Sequence, residues 1–182
     1  MRSPSRRLFL KTAGATGLAI ASPLVSANII TQPADIDRQL KLRNLHTGEK
    51  LSATYWAEGG YISEELAAID HVLRDHRSGE AFHMDHTLLD QVYALQQRLG
   101  HKGTIEIISG YRSPASNAML ASKSSGVAKK SFHMLGRAVD LRMPGVELKN
   151  LRKAALKLKA GGVGYYPNSN FVHLDTGRPR FW

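Results

Sequence analysis

The sequence predicts an α+β fold in which helices pack on a mostly antiparallel sheet. Three observations predict it. A segment of alternating polar and apolar residues returns after a turn, several segments carry apolar residues at helical spacing, and two short strand-like segments near the C-terminus flank another turn. The chain has 182 residues, 42% of them hydrophobic, which suits one domain with a substantial core. We find no internal repeat and no long linker in the sequence.

The first predicted elements are a β-hairpin and a helix. Residues 38–45 alternate polar and apolar side chains, as a half-buried strand does, and residues 50–56 return as a second strand after a turn at 47–49. Ser63 is a suitable cap for a helix that runs to about Asp75. The apolar face of this helix consists of Leu66, Ile69, Val72 and Leu73.

A second helix is predicted to begin at Asp85 or Thr87 and to run through Leu99, where Gly100 ends it. The pattern is less regular in the rest of the chain, but it still separates short strands, helices and turns. The later predicted elements are a strand at 104–109, a short helix capped by Ser113 and begun by Pro114, a mobile loop at 122–130, a strand at 137–143, a helix at 147–160, and closing strands at 163–165 and 170–174.

The N-terminal segment has the pattern of an export signal. Residues 5–11 carry a twin-arginine motif, an apolar run follows at 13–23, and small residues precede a cleavage point at Asn28. The alternatives are a basic, frayed terminus or a membrane anchor, but the run is shorter than the roughly 20 residues of a spanning helix. We predict a twin-arginine signal peptide at 1–27, a domain at 28–182 and a periplasmic mature protein without a membrane span.

Charge narrows the class of partner. Loss of the signal removes the positive charges of Arg2, Arg6, Arg7 and Lys11 and lowers the formal net charge from +10 to +6. We see no nucleic-acid-binding motif, and export argues against that partner. An anionic wall polymer or lipid surface fits the charge better, and a merely soluble basic surface is the alternative.

Three residues form a candidate metal site: His133, Asp140 and His173. Two imidazoles and one carboxylate are a common ligand set for catalytic zinc, and three protein ligands leave a coordination position open. Gly136 could turn the chain so that Asp140, seven residues after His133, returns to the same place. The chain has no cysteine, so a thiolate site and a disulfide are excluded. We assign the remaining histidines mostly to surface or structural roles: His46, His71, His76, His83, His86 and His101.

The motifs resemble those of the LAS group of zinc peptidases, which includes D-Ala-D-Ala carboxypeptidases, dipeptidases and murein endopeptidases. The matching residues are Ser109-Gly110-Tyr111-Arg112-Ser113, then Ser131, His133, Gly136, Ala138 and Asp140 at the family spacing, and finally His173. The likeness covers essentially the whole mature chain. It implies one Zn²⁺ per chain, held by His133, Asp140 and His173, that activates a water and polarises the scissile carbonyl.

The resemblance also implies catalytic side chains. Arg112 matches the arginine that stabilises the oxyanion, with a surface ion pair as its alternative. Relatives place an acidic base three residues before the last ligand, or a histidine two before it. This chain has Asn170 and Phe171 at those positions. Asp175, two residues after His173 on the same strand face, is the candidate base, and orienting His173 is its equally weighted alternative.

The expected substrate is the stem peptide of peptidoglycan. Tyr111, Ser113 and Ser131 could hydrogen-bond the peptide backbone. Arg178 and Arg180 could pair with substrate carboxylates or simply be solvated charges of the tail. The sequence therefore predicts a monomeric endopeptidase that cuts meso-diaminopimelate–meso-diaminopimelate cross-links and, secondarily, D-Ala–meso-diaminopimelate cross-links. A D,D- or L,D-carboxypeptidase and a non-catalytic wall-binding module are the alternatives.

Overall fold

The computed structural model describes residues 36–124 and 126–182. The predicted signal peptide at 1–27 and its cleavage point lie outside the described residues. No described helix is both long enough and apolar enough to cross a bilayer.

The described chain forms eight strands and four α-helices, and a short 3₁₀ helix at Phe132–Leu135. The strands are β1 Arg38–Asn44, β2 Lys50–Ala57, β3 Gly60–Tyr61, β4 Ile105–Ser109, β5 Ala138–Arg142, β6 Gly162–Tyr166, β7 Phe171–Asp175 and β8 Arg180–Phe181. The helices are α1 Ser63–Val72, α2 His86–Arg98, α3 Pro114–Lys123 and α4 Leu148–Leu158.

All eight strands belong to one sheet with the order β3-β2-β1-β4-β5-β7-β6-β8. Five of the seven pairings between described strands are antiparallel, and only β1–β4 and β6–β8 are parallel. The predicted α+β class with a mostly antiparallel sheet is therefore confirmed. The sequence reading did not include β3 and β8, because two residues are too few to show the alternation of a strand.

Helix α1 differs from its prediction at both ends. Ser63 is the first helical residue, Ile62 occupies the capping position without a side-chain hydrogen bond, and the helix ends at Val72 instead of Asp75. The other predicted caps are confirmed: Asp85 accepts from the backbone N–H of Thr87 at 2.9 Å, and Ser113 caps α3.

Helices α3 and α4 also end away from their predicted limits. Helix α3 continues through Lys123, so the loop predicted from 122 begins later, and its mobility stays a prediction. Helix α4 ends at Leu158, before Lys159, whose φ of 52° is left-handed. Gly161 therefore lies beyond the helix, and Gly162 is the first residue of β6.

The sheet separates an apolar core from a polar face. Along β5 and β7 the side chains of Val139, Leu141, Val172 and Leu174 belong to the core. The intervening residues, Asp140 and His173 among them, point to the opposite face because successive strand residues alternate. The same two strands therefore contribute apolar side chains to the core on one face and carry candidate metal ligands on the other.

Candidate active site

The three predicted metal ligands meet on the polar face of the sheet. Asp140 and His173 are direct partners across the β5–β7 pairing. His133 reaches them from the 3₁₀ helix, after which Gly136 turns the chain with φ 64°, as predicted. One ligand atom from each residue lies within 4.8 Å of the other two, and all three residues are buried. This is the only such group among the described residues, so none of the other histidines there joins a comparable cluster.

Hydrogen bonds on the far side of each ring orient the two histidines. His133 donates its Nδ1–H to the carbonyl oxygen of Gly110 at 2.7 Å, and His173 donates its Nε2–H to Asp175 Oδ2 at 3.1 Å. The opposite ring nitrogens then face Asp140 Oδ1, His133 Nε2 at 3.4 Å and His173 Nδ1 at 2.8 Å. Two imidazole nitrogens oriented by these hydrogen bonds, together with the carboxylate oxygen of Asp140, fit a divalent metal ion such as zinc.

The electrostatics of the site also suit a cation. Burial opposes ionisation of Asp140, but His133 and His173 outweigh it and hold the pKa of this carboxyl below its usual range. Burial lowers the pKa of His173, but its contacts with Asp140 and Asp175 raise the pKa to about 9. A metal ion must therefore displace a proton from His173 at neutral pH, so metal affinity falls as the pH falls.

Asp175 is a fully buried support for His173 and the tail. Its relative exposure is 0%, and its carboxylate accepts from the backbone N–H groups of Gly162 and Gly177. Arg180 binds it with both terminal nitrogens, at 2.9 and 2.6 Å. These contacts leave little capacity for a further proton transfer, and His173 separates the carboxylate from Asp140. The geometry therefore favours the orienting alternative over the predicted role as a base.

The carbonyl that orients His133 depends on a close approach of two segments. A Cβ at Gly110 would collide with the backbone carbonyl of Leu73, which also accepts from the N–H of Tyr111 at 2.7 Å. Only glycine allows this approach. Packing therefore requires glycine at position 110, and the same close approach places the carbonyl oxygen that orients the ring of His133.

Asp75 anchors the same segment from the end of α1. Its carboxylate is 1% exposed and accepts from the backbone N–H groups of Ser113 and Arg77, both at 2.9 Å. Burial opposes ionisation, but hydrogen bonds from Ser116, Arg77 and Ser113 hold the pKa of Asp75 well below its usual range. Asp75 thereby fixes the start of α3 beside the site.

We expect Asp75→Asn to destabilise the fold by about 1–3 kcal/mol at pH 7, because an amide satisfies fewer of these buried donors. The folded pKa of Asp75 is depressed, so its stabilisation is present above the unfolded pKa of about 3.9 and is lost as the pH falls. The difference in unfolding free energy between wild type and variant should therefore shrink near pH 3. Urea unfolding at both pH values measures it. Asp37→Asn, at an exposed position, is the matched control, and an equal difference at both pH values would contradict the assignment.

Arg112 lies at the edge of the metal-ligand cluster. One terminal nitrogen is 3.2 Å from Ser109 Oγ and 3.8 Å from Asp140 Oδ2, and the other is 3.4 Å from Asn117 Oδ1. Its Nε is buried and has no hydrogen-bond partner within 36–124 and 126–182. Burial, the largest influence, lowers the pKa of Arg112. The guanidinium is thus held beside the ligands with donor capacity to spare.

A cavity of about 460 Å³ opens over the ligands. Besides the three ligands, its walls include Arg112, Lys130, Ser131, Tyr166, Arg180 and Trp182. The carboxylates that line it, Asp140 and Asp175, are both committed to the contacts described above. The free charge that the cavity offers to a ligand is therefore positive.

The structure brings only some of the predicted substrate contacts to this cavity. Ser131 lines it and accepts from the backbone N–H of His133 at 3.3 Å. Tyr111 and Ser113 do not line it: the hydroxyl of Tyr111 donates to Glu80 at 3.2 Å, and that of Ser113 caps α3. In the structure both side chains make supporting contacts, and their role in substrate binding stays a prediction. Arg178 is exposed and outside the lining, so its role stays a prediction.

The sequence reading missed part of the cavity wall. No sequence pattern described above places Tyr166 or Trp182 in the wall, and Lys130 is predicted only as part of a loop. One signal was present in the sequence: Gly162 and Gly164 alternate along β6 and leave space on the face that carries His173. The side chains of Arg180 and Trp182 fill that space.

Comparison with known proteins agrees with this geometry. The sequence profile of the peptidase family described as "Peptidoglycan L,D-endopeptidase MepK" matches residues 32–182. This chain belongs to that family. The predicted membership of the LAS-type peptidases, and with it the assignment as a peptidase, is confirmed.

Individual members of the MepK family are similar along nearly their whole length. The chain is 48% identical over 171 residues to the peptidoglycan L,D-endopeptidase MepK of Escherichia coli K12, covering 91% of this chain and 94% of that protein. It is 41% identical over 180 residues to a probable peptidoglycan L,D-endopeptidase MepK of Haemophilus influenzae, covering 98% and 95%. The similarity therefore extends across the core, the metal-ligand cluster and the cavity wall.

Proposed function

We propose that this chain is a zinc-dependent endopeptidase that hydrolyses peptide cross-links of peptidoglycan. The observation that carries the proposal is the buried cluster of His133, Asp140 and His173 beneath an open cavity, in a chain whose family is named for peptidoglycan L,D-endopeptidases. The preferred bond is meso-diaminopimelate–meso-diaminopimelate, with D-Ala–meso-diaminopimelate as a second target.

His133, Asp140 and His173 would hold one Zn²⁺, which supplies Lewis-acid activation of water and of the scissile carbonyl. The chain's own residues prepare the site for this chemistry. Gly110 and Asp175 hold the rings of His133 and His173 in the tautomers that present a bare nitrogen to the cation. Asp140 supplies a negative charge between the two rings.

Arg112 is the proposed electrostatic partner of the reacting carbonyl. Its guanidinium is buried beside Asp140, and its Nε–H has no hydrogen-bond partner among the residues that the structure describes. A donor that is already in place when negative charge develops on the carbonyl oxygen stabilises the transition state without reorganisation. We assign Arg112 this role.

We propose that Asp175 positions His173. The acid expected from relatives three residues before His173 is Asn170, which is exposed and takes a left-handed φ of 52° in the turn between β6 and β7. Asparagine is well suited to such a turn and is not a base. We therefore assign the role of catalytic base to no residue of this turn.

The charge of the cavity supports the proposed substrate. Cross-links of this type carry free carboxylates next to the scissile amide. Lys130 lines the cavity and forms no ion pair with an acidic side chain of the described residues, whereas Arg112 already faces Asp140 at 3.8 Å. Charge-assisted hydrogen bonds to substrate carboxylates are strong enough to fix the peptide in one orientation. Ser131 can add a contact to the peptide backbone.

Digestion of purified muropeptides by the zinc-loaded mature protein tests this function. We expect cross-linked dimers to be converted to monomers. Dimers joined by a meso-diaminopimelate–meso-diaminopimelate bond (3-3 cross-linked dimers) should be consumed faster than dimers joined by a D-Ala–meso-diaminopimelate bond (4-3 cross-linked dimers). Monomers that are merely shortened would contradict the proposal and indicate a carboxypeptidase. Binding to sacculi without release of any muropeptide would also contradict it and indicate a wall-binding module.

The substrate places the enzyme outside the cytoplasm. We propose export by the twin-arginine pathway through the signal at 1–27 and action in the periplasm, as a monomer without nucleic-acid partners. The twin-arginine motif of residues 5–11 supports the route. Replacing Arg6 and Arg7 by lysine should retain the precursor in the cytoplasm, as fractionation would show.

A further inference from the structure

Strand β6 presents an unusual face to the active site. Its pairing with β7 places Gly164 opposite His173 and Tyr166 opposite Phe171, so these four residues lie on the polar side of the sheet. Tyr166 is the first position of this face of β6 with a side chain. It stacks on Phe171, with ring centroids 4.5 Å apart, and lines the cavity.

Trp182 fixes the hydroxyl of Tyr166. The Trp182 ring lies over Gly164, where a Cβ would collide with it, and its centroid is 5.3 Å from that of His173. Backbone hydrogen bonds to Val163 and Tyr165 hold the residue on the edge of β6. In this position the indole Nε1–H donates to Tyr166 Oη at 2.8 Å.

This contact leaves the proton of the hydroxyl available. A phenol is one donor and also an acceptor, and the indole N–H can only donate. The indole therefore occupies an acceptor site of Tyr166 Oη and leaves its O–H to find another acceptor. Within 36–124 and 126–182 the structure shows no acceptor for it.

Tyr166 and Arg112 flank the metal-ligand cluster. The order of the sheet is β4, β5, β7, β6, so Arg112 after β4 and Tyr166 on β6 lie on either side of the strands that carry Asp140 and His173. Both side chains line the cavity that opens over the ligands. A carbonyl bound over the cluster would lie between them.

We propose that Tyr166 is a second donor to the scissile carbonyl, opposite Arg112, and that Trp182 is its positioning residue. The inference rests on the proposed endopeptidase function and adds a residue to it. As the water oxygen bonds to the carbonyl carbon, the carbonyl electron pair moves to its oxygen, and Tyr166 donates a hydrogen bond to that oxygen. The pair then returns, the C–N bond breaks, and a water proton ends on the leaving amine. Tyr166 keeps its own proton throughout.

Three variants test this inference with the zinc-loaded enzyme and a purified 3-3 cross-linked dimer. Tyr166→Phe removes only the hydroxyl and should lower kcat about 100-fold, with KM within about twofold of wild type, because the bond forms only in the transition state. Trp182→Phe keeps a ring but loses the N–H and should lower kcat about three- to tenfold. Tyr165→Phe is the matched control, since Tyr165 lies on the other face of β6 beneath Arg152, and should retain wild-type kcat.

Binding gives a second readout that does not depend on turnover. A phosphinate analogue of the cross-link mimics the tetrahedral oxyanion, and its affinity by calorimetry should fall in Tyr166→Phe by the same factor as kcat. The amount of bound metal should not change.

The outcomes separate this inference from the function on which it rests. A wild-type protein that cleaves the dimer, with Tyr166→Phe within about twofold of it in kcat and analogue affinity, overturns the role of Tyr166 alone. So does a loss that appears only in KM, or an equal loss in Tyr165→Phe. A wild-type protein that leaves the dimer intact overturns the endopeptidase function and this inference with it.

Discussion

His133→Ala and His173→Ala should each lose turnover by about three orders of magnitude or more. Each change removes one imidazole nitrogen from a set of three candidate ligand atoms that lie within 4.8 Å of one another. The Lewis-acid contribution of a catalytic metal amounts to several kcal/mol, which corresponds to that loss of rate. Metal content per chain, measured after dialysis against a buffer of low free zinc, should fall in parallel with the rate of muropeptide cleavage.

A histidine outside the site provides the control. His71 is on α1, its side chain is 63% exposed, and its ring lies 3.6 Å from Glu49, outside the metal-ligand cluster. His71→Ala should keep both metal and activity. If His133→Ala retained a full complement of metal and wild-type turnover, the assignment of His133 as a ligand would be wrong.

Replacement of Asp175 should have the second-largest effect, and its form distinguishes two roles. If Asp175 orients His173, Asp175→Asn weakens metal binding about 10- to 100-fold, because the ring loses the carboxylate that fixes its tautomer. Activity then returns as the zinc concentration is raised. If Asp175 were the general base, the variant would bind zinc normally and stay inactive at every zinc concentration.

The contacts of Asp175 lead us to expect the first result. Its carboxylate is fully buried and bound by two backbone N–H groups and Arg180, as well as His173. Asp175→Ala should additionally destabilise the fold, since Gly162, Gly177 and Arg180 would lose their acceptor. Near-normal metal affinity and turnover in Asp175→Asn would remove the residue from either role. Circular dichroism during thermal unfolding separates loss of fold from loss of metal.

The candidate metal ligands could be predicted because two of them belong to one local motif and the resemblance to LAS peptidases joins His173 to that motif. His133, Gly136 and Asp140 lie within eight residues, and the turn at Gly136 follows from glycine's freedom at positive φ. His173 stands in a strand of clear alternation, so its face could be predicted as well. The hairpin and the helix caps at Asp85 and Ser113 are local patterns of the same kind, and their predictions are confirmed.

The support around the ligands could not be read from local patterns. Tyr111 and Ser113 adjoin Arg112 in the motif, and both were predicted to hydrogen-bond the substrate backbone. Their polar groups are instead taken by Glu80, and by Asp75 and Ser116, through contacts that span up to 38 residues. A motif of five consecutive residues does not show which distant residues its side chains contact.

The C-terminal tail was underestimated for a different reason. Arg180 and Trp182 lie on or beside a two-residue strand, which is too short to show a period. Their importance depends on Gly162 and Gly164, about eighteen residues earlier, whose missing side chains make room for them. A sequence shows the glycines and the tail separately, but only the folded chain shows that one fills the space left by the other.

The most direct test of the account is removal and return of the metal in the wild-type protein. Dialysis against a strong chelator should abolish cleavage of cross-linked dimers while the protein stays folded. One equivalent of Zn²⁺ should restore cleavage with a stoichiometry of one ion per chain. A metal-free, folded protein that cuts sacculi at the wild-type rate would contradict the account.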